Sequence, residues 1–199
     1  MPDVAVRAAV ASDARAVCDG AARALAFLAR AGLAAPAGTE VDVVDALPGE
    51  LGGRAVGCYR RDTRGIQMLS YAAFEAIGAW FRTPVDRELY RSAAAHEMAH
   101  AIVGCNAAPD RLPVAAHEYV AYVVLFATMD PGLRERVLAK FPGPGFTSTL
   151  QISDIGHLAD PNRFGVDAWL HYLGRRDREA WLRSVIAGEV VQEVTGEAP

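Results

Sequence analysis

DRELYRSAAAHEMAHAIV (86–103) and VAAHEYVAYVVLFATM (114–129) are the two stretches from which the rest of the chain can be placed. The first has no proline and no glycine before Gly104, and its alanines make it strongly helical. Thr83 with Pro84 at the first helical position reads as its opening. The second stretch is apolar nearly all round, which predicts a buried helix. CNAAPDRLP (105–113) between them is a turn, short enough to bring the two helices together antiparallel.

Upstream the pattern changes to mixed α and β. VAVRAAV (4–10) reads as a strand, and Ser12 or Asp13 caps a helix through ARAVCDGAARALAFLARA (14–31) that Gly32 stops. EVDVVDAL (40–47) is a strand. RAVGCYR (54–60) and GIQMLS (65–70) form a hairpin across RDTR (61–64). Ser70 caps a further helix over SYAAFEAIGAWF (70–81). Downstream, Asp130-Pro131 opens a helix, and FPGPG (141–145) is an irregular loop and the best internal boundary. ISDIGHLAD (152–160) lies beyond it, followed by helices over FGVDAWLHYL (164–173) and REAWLRSVIAGEVV (178–191). The expected fold is α+β: a small mixed sheet with an N-terminal helix, then a mostly helical half. One domain over 1–199 is expected, with a sheet-forming part at 1–70, two central helices within 71–141 and a helical C-terminal part at 142–199.

With 199 residues, 52% of them hydrophobic, the chain can bury a core, which excludes intrinsic disorder. Acids outnumber bases 24 to 20, so no basic field covers the chain and nucleic acid is not expected as a partner. The run 114–129 is interrupted by His117 and Glu118 and is shorter than a membrane span, so no span is expected. The N-terminus carries an acid at position 3 and no long apolar run, so no signal peptide is expected; a secreted or periplasmic location stays open for a chain whose leader was removed. Cys18, Cys58 and Cys105 contain no C-x-x-C pair, which excludes a cysteine-rich zinc knuckle and leaves one disulfide or three buried thiols.

His96-Glu97-Met98-Ala99-His100 is an H-E-x-x-H motif inside the first helix. Residues at i and i+4 share a helix face, about 6 Å apart, so both imidazoles can point a nitrogen at one metal ion. Glu97 is displaced by about 100° around the helix and reaches a water on that metal without taking a coordination site. Zinc suits two imidazoles and one further ligand, with a position left open. The next helix offers Glu118 and its rival His117, of which one coordinates, because neighbours on a helix point in different directions. A glutamate in a buried helix is costly unless a cation compensates it. A divalent metal would do so, and a salt bridge to Arg111 or Arg91 is the plainer alternative.

HEMAH followed on the next helix by a glutamate resembles the gluzincin metallopeptidases, the thermolysin-like arrangement, over roughly residues 54–130. It is most similar to their small forms. The resemblance implies a zincin-like fold, Zn2+ held by His96, His100 and Glu118, and Glu97 as general base. It implies cleavage of an extended peptide or protein substrate by zinc-activated water. The strand 65–70 would then be the exposed edge along which the peptide lies. Thermolysin-like enzymes have an acid four residues after the glutamate ligand, where this chain has Tyr122. They also have a downstream histidine that steadies the oxyanion, for which His157 and His171 are candidates beside Tyr119 and Tyr122. The alternative is a zinc-binding interaction or regulatory protein without turnover.

Overall fold

The computed structural model describes residues 4–49, 55–107 and 112–190. β1 (Val4–Arg7), α1 (Ala11–Ala29) and β2 (Thr39–Val44) form a βαβ unit, with β1 and β2 parallel. β3 (Gly57–Arg60) and β4 (Gly65–Leu69) follow as an antiparallel hairpin. β4 also pairs with β2, parallel, so the sheet order is β1-β2-β4-β3. The fold is α+β, as its sequence pattern predicts. In β4, Ile66 and Met68 are buried, the alternation of a strand with one face on the core.

β4 is an interior strand, not the exposed edge expected at 65–70. Parallel pairing of Val41 with Ile66 and Val43 with Met68 covers the side that β3 leaves free. Among the described residues the open edge on this side of the sheet belongs to β3, which pairs only with β4. The hairpin prediction therefore holds, but its other strand is outermost. The predicted start of that strand at position 54 lies outside the described residues.

Two cap predictions are corrected. Asp13 does not cap α1, whose N-cap is Val10. Its carboxylate is buried, accepts from the Tyr71 backbone N–H at 3.0 Å and pairs with Arg87 at 2.5 Å. It thus joins α1 to the starts of α2 (Tyr71–Glu75) and α3 (Arg87–Asn106). Ser70 does cap α2, but the helix stops at Glu75 rather than running to 81. Ala79–Trp80 (β5) and Thr83–Pro84 (β6) then make a two-stranded ribbon whose corner, Phe81 and Arg82, lies at φ +50° and +54°. Non-glycine residues adopt that conformation at a cost of order 1–3 kcal/mol. The buried Phe81 ring, packed edge-on against Phe126, Tyr122 and Phe141, offsets it. Thr83 and Pro84 consequently lie in β6, and the α3 cap is Asp86, which accepts from Leu89 N–H at 2.8 Å.

α3 is the centre of the molecule. One side meets α1 so closely that a Cβ on Gly20 would lie 2.4 Å from the Arg91 carbonyl oxygen and 2.9 Å from Ala94 Cβ. The short side chains at 93–95 permit this approach. Its other sides meet β3 and α4 (Val114–Thr128), and α4 is buried over most of its length as predicted. α5 (Pro131–Leu138) begins at the Asp130 cap, which accepts from Leu133 N–H. A 3-10 turn at Thr149–Gln151 leads to α6 (Asp154–Ala159), α7 (Pro161–Gly174) and α8 (Arg178–Ile186). Among the described residues no helix is long and apolar enough to cross a membrane. Cys18, Cys58 and Cys105 are all free; Cys18 and Cys105 are exposed and Cys58 half-buried, so neither the disulfide nor the three buried thiols is found.

Candidate metal centre

His96 and His100 are four positions apart on α3, and the helix sets their rings 4.7 Å apart, edge to face. Their Nε2 atoms are 3.1 Å apart. Across from them on α4 stands Glu118, with Oε2 3.5 Å from His96 Nε2 and Oε1 3.6 Å from His100 Nε2. All three donor atoms lie within 4.8 Å of one another, a group that could hold a metal ion. Zinc bonds of 2.0–2.2 Å in a tetrahedron put neighbouring donors about 3.3–3.6 Å apart, close to what is observed.

Charge supports the fit. Burial pushes the His96 pKa down to about 3 and that of His100 well below its ordinary value. Neither ring is therefore a cation at neutral pH, and the contacts to Glu118 are not salt bridges. Burial raises Glu118 to about 7. With one Nε2 protonated the two imidazoles share a hydrogen bond; with both bare, they and the Glu118 carboxylate turn lone pairs to one point, a repulsion that a cation between them would relieve. The arginine alternative for Glu118 fails at Arg91, which pairs with Asp19 and Glu88; Arg111 lies outside the described residues. Nδ1 of His96 is buried without a well-formed hydrogen bond, although the Ala121 carbonyl is near enough to oppose slightly the effect of burial.

His117 turns away, as a neighbour 100° around the helix should. Its Nε2 meets the Arg61 guanidinium in the β3–β4 turn, and burial followed by Arg61 lowers its pKa to about 4. Glu97 faces a third direction. Its side chain is buried against β3, where a Cβ on Gly57 would lie 2.4 Å from Cδ and 2.7 Å from Oε1. Burial, then the charge of Glu118, raises its pKa well above the ordinary carboxylate value.

Tyr122, one turn beyond Glu118, lays its ring 4.6 Å from that of His96. Gly165 of α7 makes room for it, since a Cβ there would lie 2.6 Å from Tyr122 Cδ1. Burial raises the phenol pKa, so Tyr122 keeps its proton and can only be a neutral donor or acceptor. His157 is on α6, with Nε2 3.5 Å from Glu118 Oε2 and its ring 6.1 Å from that of Tyr122.

Tyr119 and His171 belong elsewhere. Tyr119 Oη meets His171 Nδ1 at 2.7 Å and accepts from Trp181 Nε1 at 3.0 Å, a satisfied network among α4, α7 and α8. They are not oxyanion candidates. Two residues of the site escaped the sequence reading. Gly57 carried a signal, because a glycine inside a strand often marks a close approach of another group. The contact of Arg61 with His117 carried none, being made by residues 56 apart in an exposed turn and a buried helix.

No curated protein and no solved structure matches the chain. A family model spans residues 4–195, from β1 to beyond α8 and with every residue of the site inside it; the chain belongs to the DUF6639 family, a family of unknown function.

Proposed function

We propose that this protein is a zinc-dependent hydrolase, a metallopeptidase of gluzincin type that cleaves an extended peptide. The convergence of His96, His100 and Glu118 on one point, with the carboxylate of Glu97 one residue off it, carries the reading. His96, His100 and Glu118 would hold the zinc, which when bound would supply Lewis acidity for the scissile carbonyl and for activating water. Glu97 takes the proton of the attacking water and passes it to the leaving amine. Its raised pKa is the direction such a group needs, and a positive charge beside Glu118 would lower it again, leaving the carboxylate free to accept a proton. Tyr122 and His157 are the two groups placed to donate to the carbonyl oxygen as it gains charge.

The substrate edge in this reading is β3, not 65–70. Among the described residues β3 has the free edge, and it packs against Glu97 through Gly57, so a peptide added there lies beside both the base and the metal. A zinc protein without turnover is the second reading, favoured by the burial of Glu97 at 4% exposure.

Elemental analysis of dialysed protein tests the metal, with about one zinc per chain expected and near none in His96→Ala. Glu97→Gln should retain the zinc and lose roughly 10²–10⁴-fold in the cleavage of a mixed peptide library. Equal cleavage by Glu97→Gln and wild type would rule out Glu97 as the base. Zinc without cleavage by wild type would select the second reading.

A further inference from the structure

We infer that Arg61 is a specificity-determining residue, which selects substrates carrying a carboxylate a few residues from the scissile bond. This rests on the peptidase reading above and names its substrate class. β3 meets Glu97 at Gly57 and Gly104 at Tyr59, so it runs along α3 in the helix's own direction. It thereby brings the β3–β4 turn to the first turn of α4, where His117 stands. That ring is 8% exposed and lies 6.3 Å from the ring of His100. Arg61 Nη2 contacts its Nε2. A guanidinium only donates, so the Nε2 atom accepts and bears no proton. His117 therefore aims the Arg61 head group without cancelling its charge.

Among the described residues no carboxylate pairs with Arg61. Its neighbour in the turn, Asp62, is held by Arg60 at 2.8 Å. Arg61 is exposed, so an incoming anion reaches it without displacing a protein partner. A planar fork with donors to spare matches a carboxylate through two parallel hydrogen bonds. β3 ends at Arg60, so a peptide added to its free edge passes Arg61. Extended chain advances about 3.3 Å per residue, which puts a group held at Arg61 a few residues from one held beside His100. The C-terminus of the peptide and an Asp or Glu side chain offer the same chemistry there.

Cleavage of synthetic peptide libraries by the full-length zinc-loaded protein tests this. One library has a free C-terminus and no Asp or Glu, another is amidated and contains them, and a control is amidated and lacks them. Wild type should cleave one of the first two with kcat/KM roughly tenfold above the control, the low end for a charged hydrogen bond because Arg61 is exposed. The library preferred tells a terminal carboxylate from a side chain. Arg61→Ala, and Arg61→Gln with its bulk and polarity retained, should bring that ratio to about one, chiefly through KM. A second arm needs no turnover: cobalt-loaded protein is titrated with the monohydroxamates of succinic to suberic acid and with their methyl esters, followed by visible spectrum. At one chain length the acid should bind wild type roughly tenfold tighter than its ester, and Arg61→Ala should bind the two alike. Equal cleavage of all the libraries by wild type, or a preference that survives in both variants, overturns the role of Arg61 while leaving the peptidase reading standing. If wild type cleaves none of them the peptidase reading falls, and the hydroxamates decide Arg61 alone: equal binding of acid and ester at every length overturns it.

Discussion

Gly57 of β3 lies flat against the side chain of Glu97, so close that any Cβ at position 57 would fall within 2.5 Å of Glu97 Cγ and Cδ. The strand and the helix thus hold the carboxylate between them, with no hydrogen bond among the described residues to compete for its proton. Gly57→Ala should move Glu97 and leave His96, His100 and Glu118 in place. Zinc content should be unchanged, hydrolysis should fall at least tenfold, and overpacking should cost about 1–3 kcal/mol in urea unfolding. Full activity in the alanine variant would mean that Glu97 is not held by β3.

The two neighbours on α4 separate cleanly. Glu118→Ala removes the only carboxylate of the cluster and should lose most of the zinc. His117→Ala breaks the contact with Arg61 and should keep it, because that ring faces the β3–β4 turn. Chelator titration of both variants distinguishes them, and the opposite order would reassign the third ligand.

Why this site was readable while its surroundings were not comes down to range. His96, Glu97 and His100 are related by one helix turn, and Glu118 by the next helix, so local periodicity places all four. The 70–81 segment scans as one helix, but burial of Phe81 among Tyr122, Phe126 and Phe141 overrides that local preference and bends the chain into a ribbon. Asp13 stands where a cap belongs, and only the distant Tyr71 and Arg87 give it another use. Strand order was equally hidden, since nothing within GIQML distinguishes a strand paired on one side from one paired on both. His157 reaches Glu118 from 39 residues away, through a helix whose packing no periodicity announces.

Metal-free protein should lose stability on acidification below pH 6.5, because burial keeps His96, His100 and His117 neutral in the folded chain and their combined loss outweighs the opposite effect of Glu118. His117 is 8% exposed with its pKa lowered to about 4, so between pH 6.5 and 4 the unfolded chain binds a proton that the folded chain refuses. Its contribution is complete above pH 6.5 and is lost as pH falls through 4, a change on the order of 3 kcal/mol. Glu118, raised to about 7, works oppositely, favouring the folded state below pH 4.5 and losing that as pH rises through 7. His117→Gln should therefore flatten the acid limb while leaving the Glu118 component. Urea midpoints from pH 4 to 8 in the presence of chelator measure both, and an unaltered acid limb in the variant would refute the assignment.

Register decides which groups of β3 a peptide could pair with. Leu69 N–H donates to the Val56 carbonyl at 3.0 Å, which makes 56–69 a bonded pair of the hairpin. Bonded and non-bonded pairs alternate along antiparallel strands. Cys58 and Arg60, opposite Gln67 and Gly65, therefore turn their backbone groups toward β4, and Gly57 and Tyr59 turn theirs outward. The side chain of Tyr59 packs on Gly104 of α3, where a Cβ would lie 2.7 Å from the ring. Tyr59→Ala removes that packing but keeps the outward N–H, while Tyr59→Pro removes both. If the peptide adds to β3, the proline variant should cleave peptides roughly two- to tenfold less efficiently than the alanine variant, one lost backbone hydrogen bond being worth about 0.5–1.5 kcal/mol. Zinc content should be equal in the two. The loss should fall on KM more than on kcat, because the bond holds substrate and transition state alike. Equal efficiency of the two variants would place the peptide off the sheet edge.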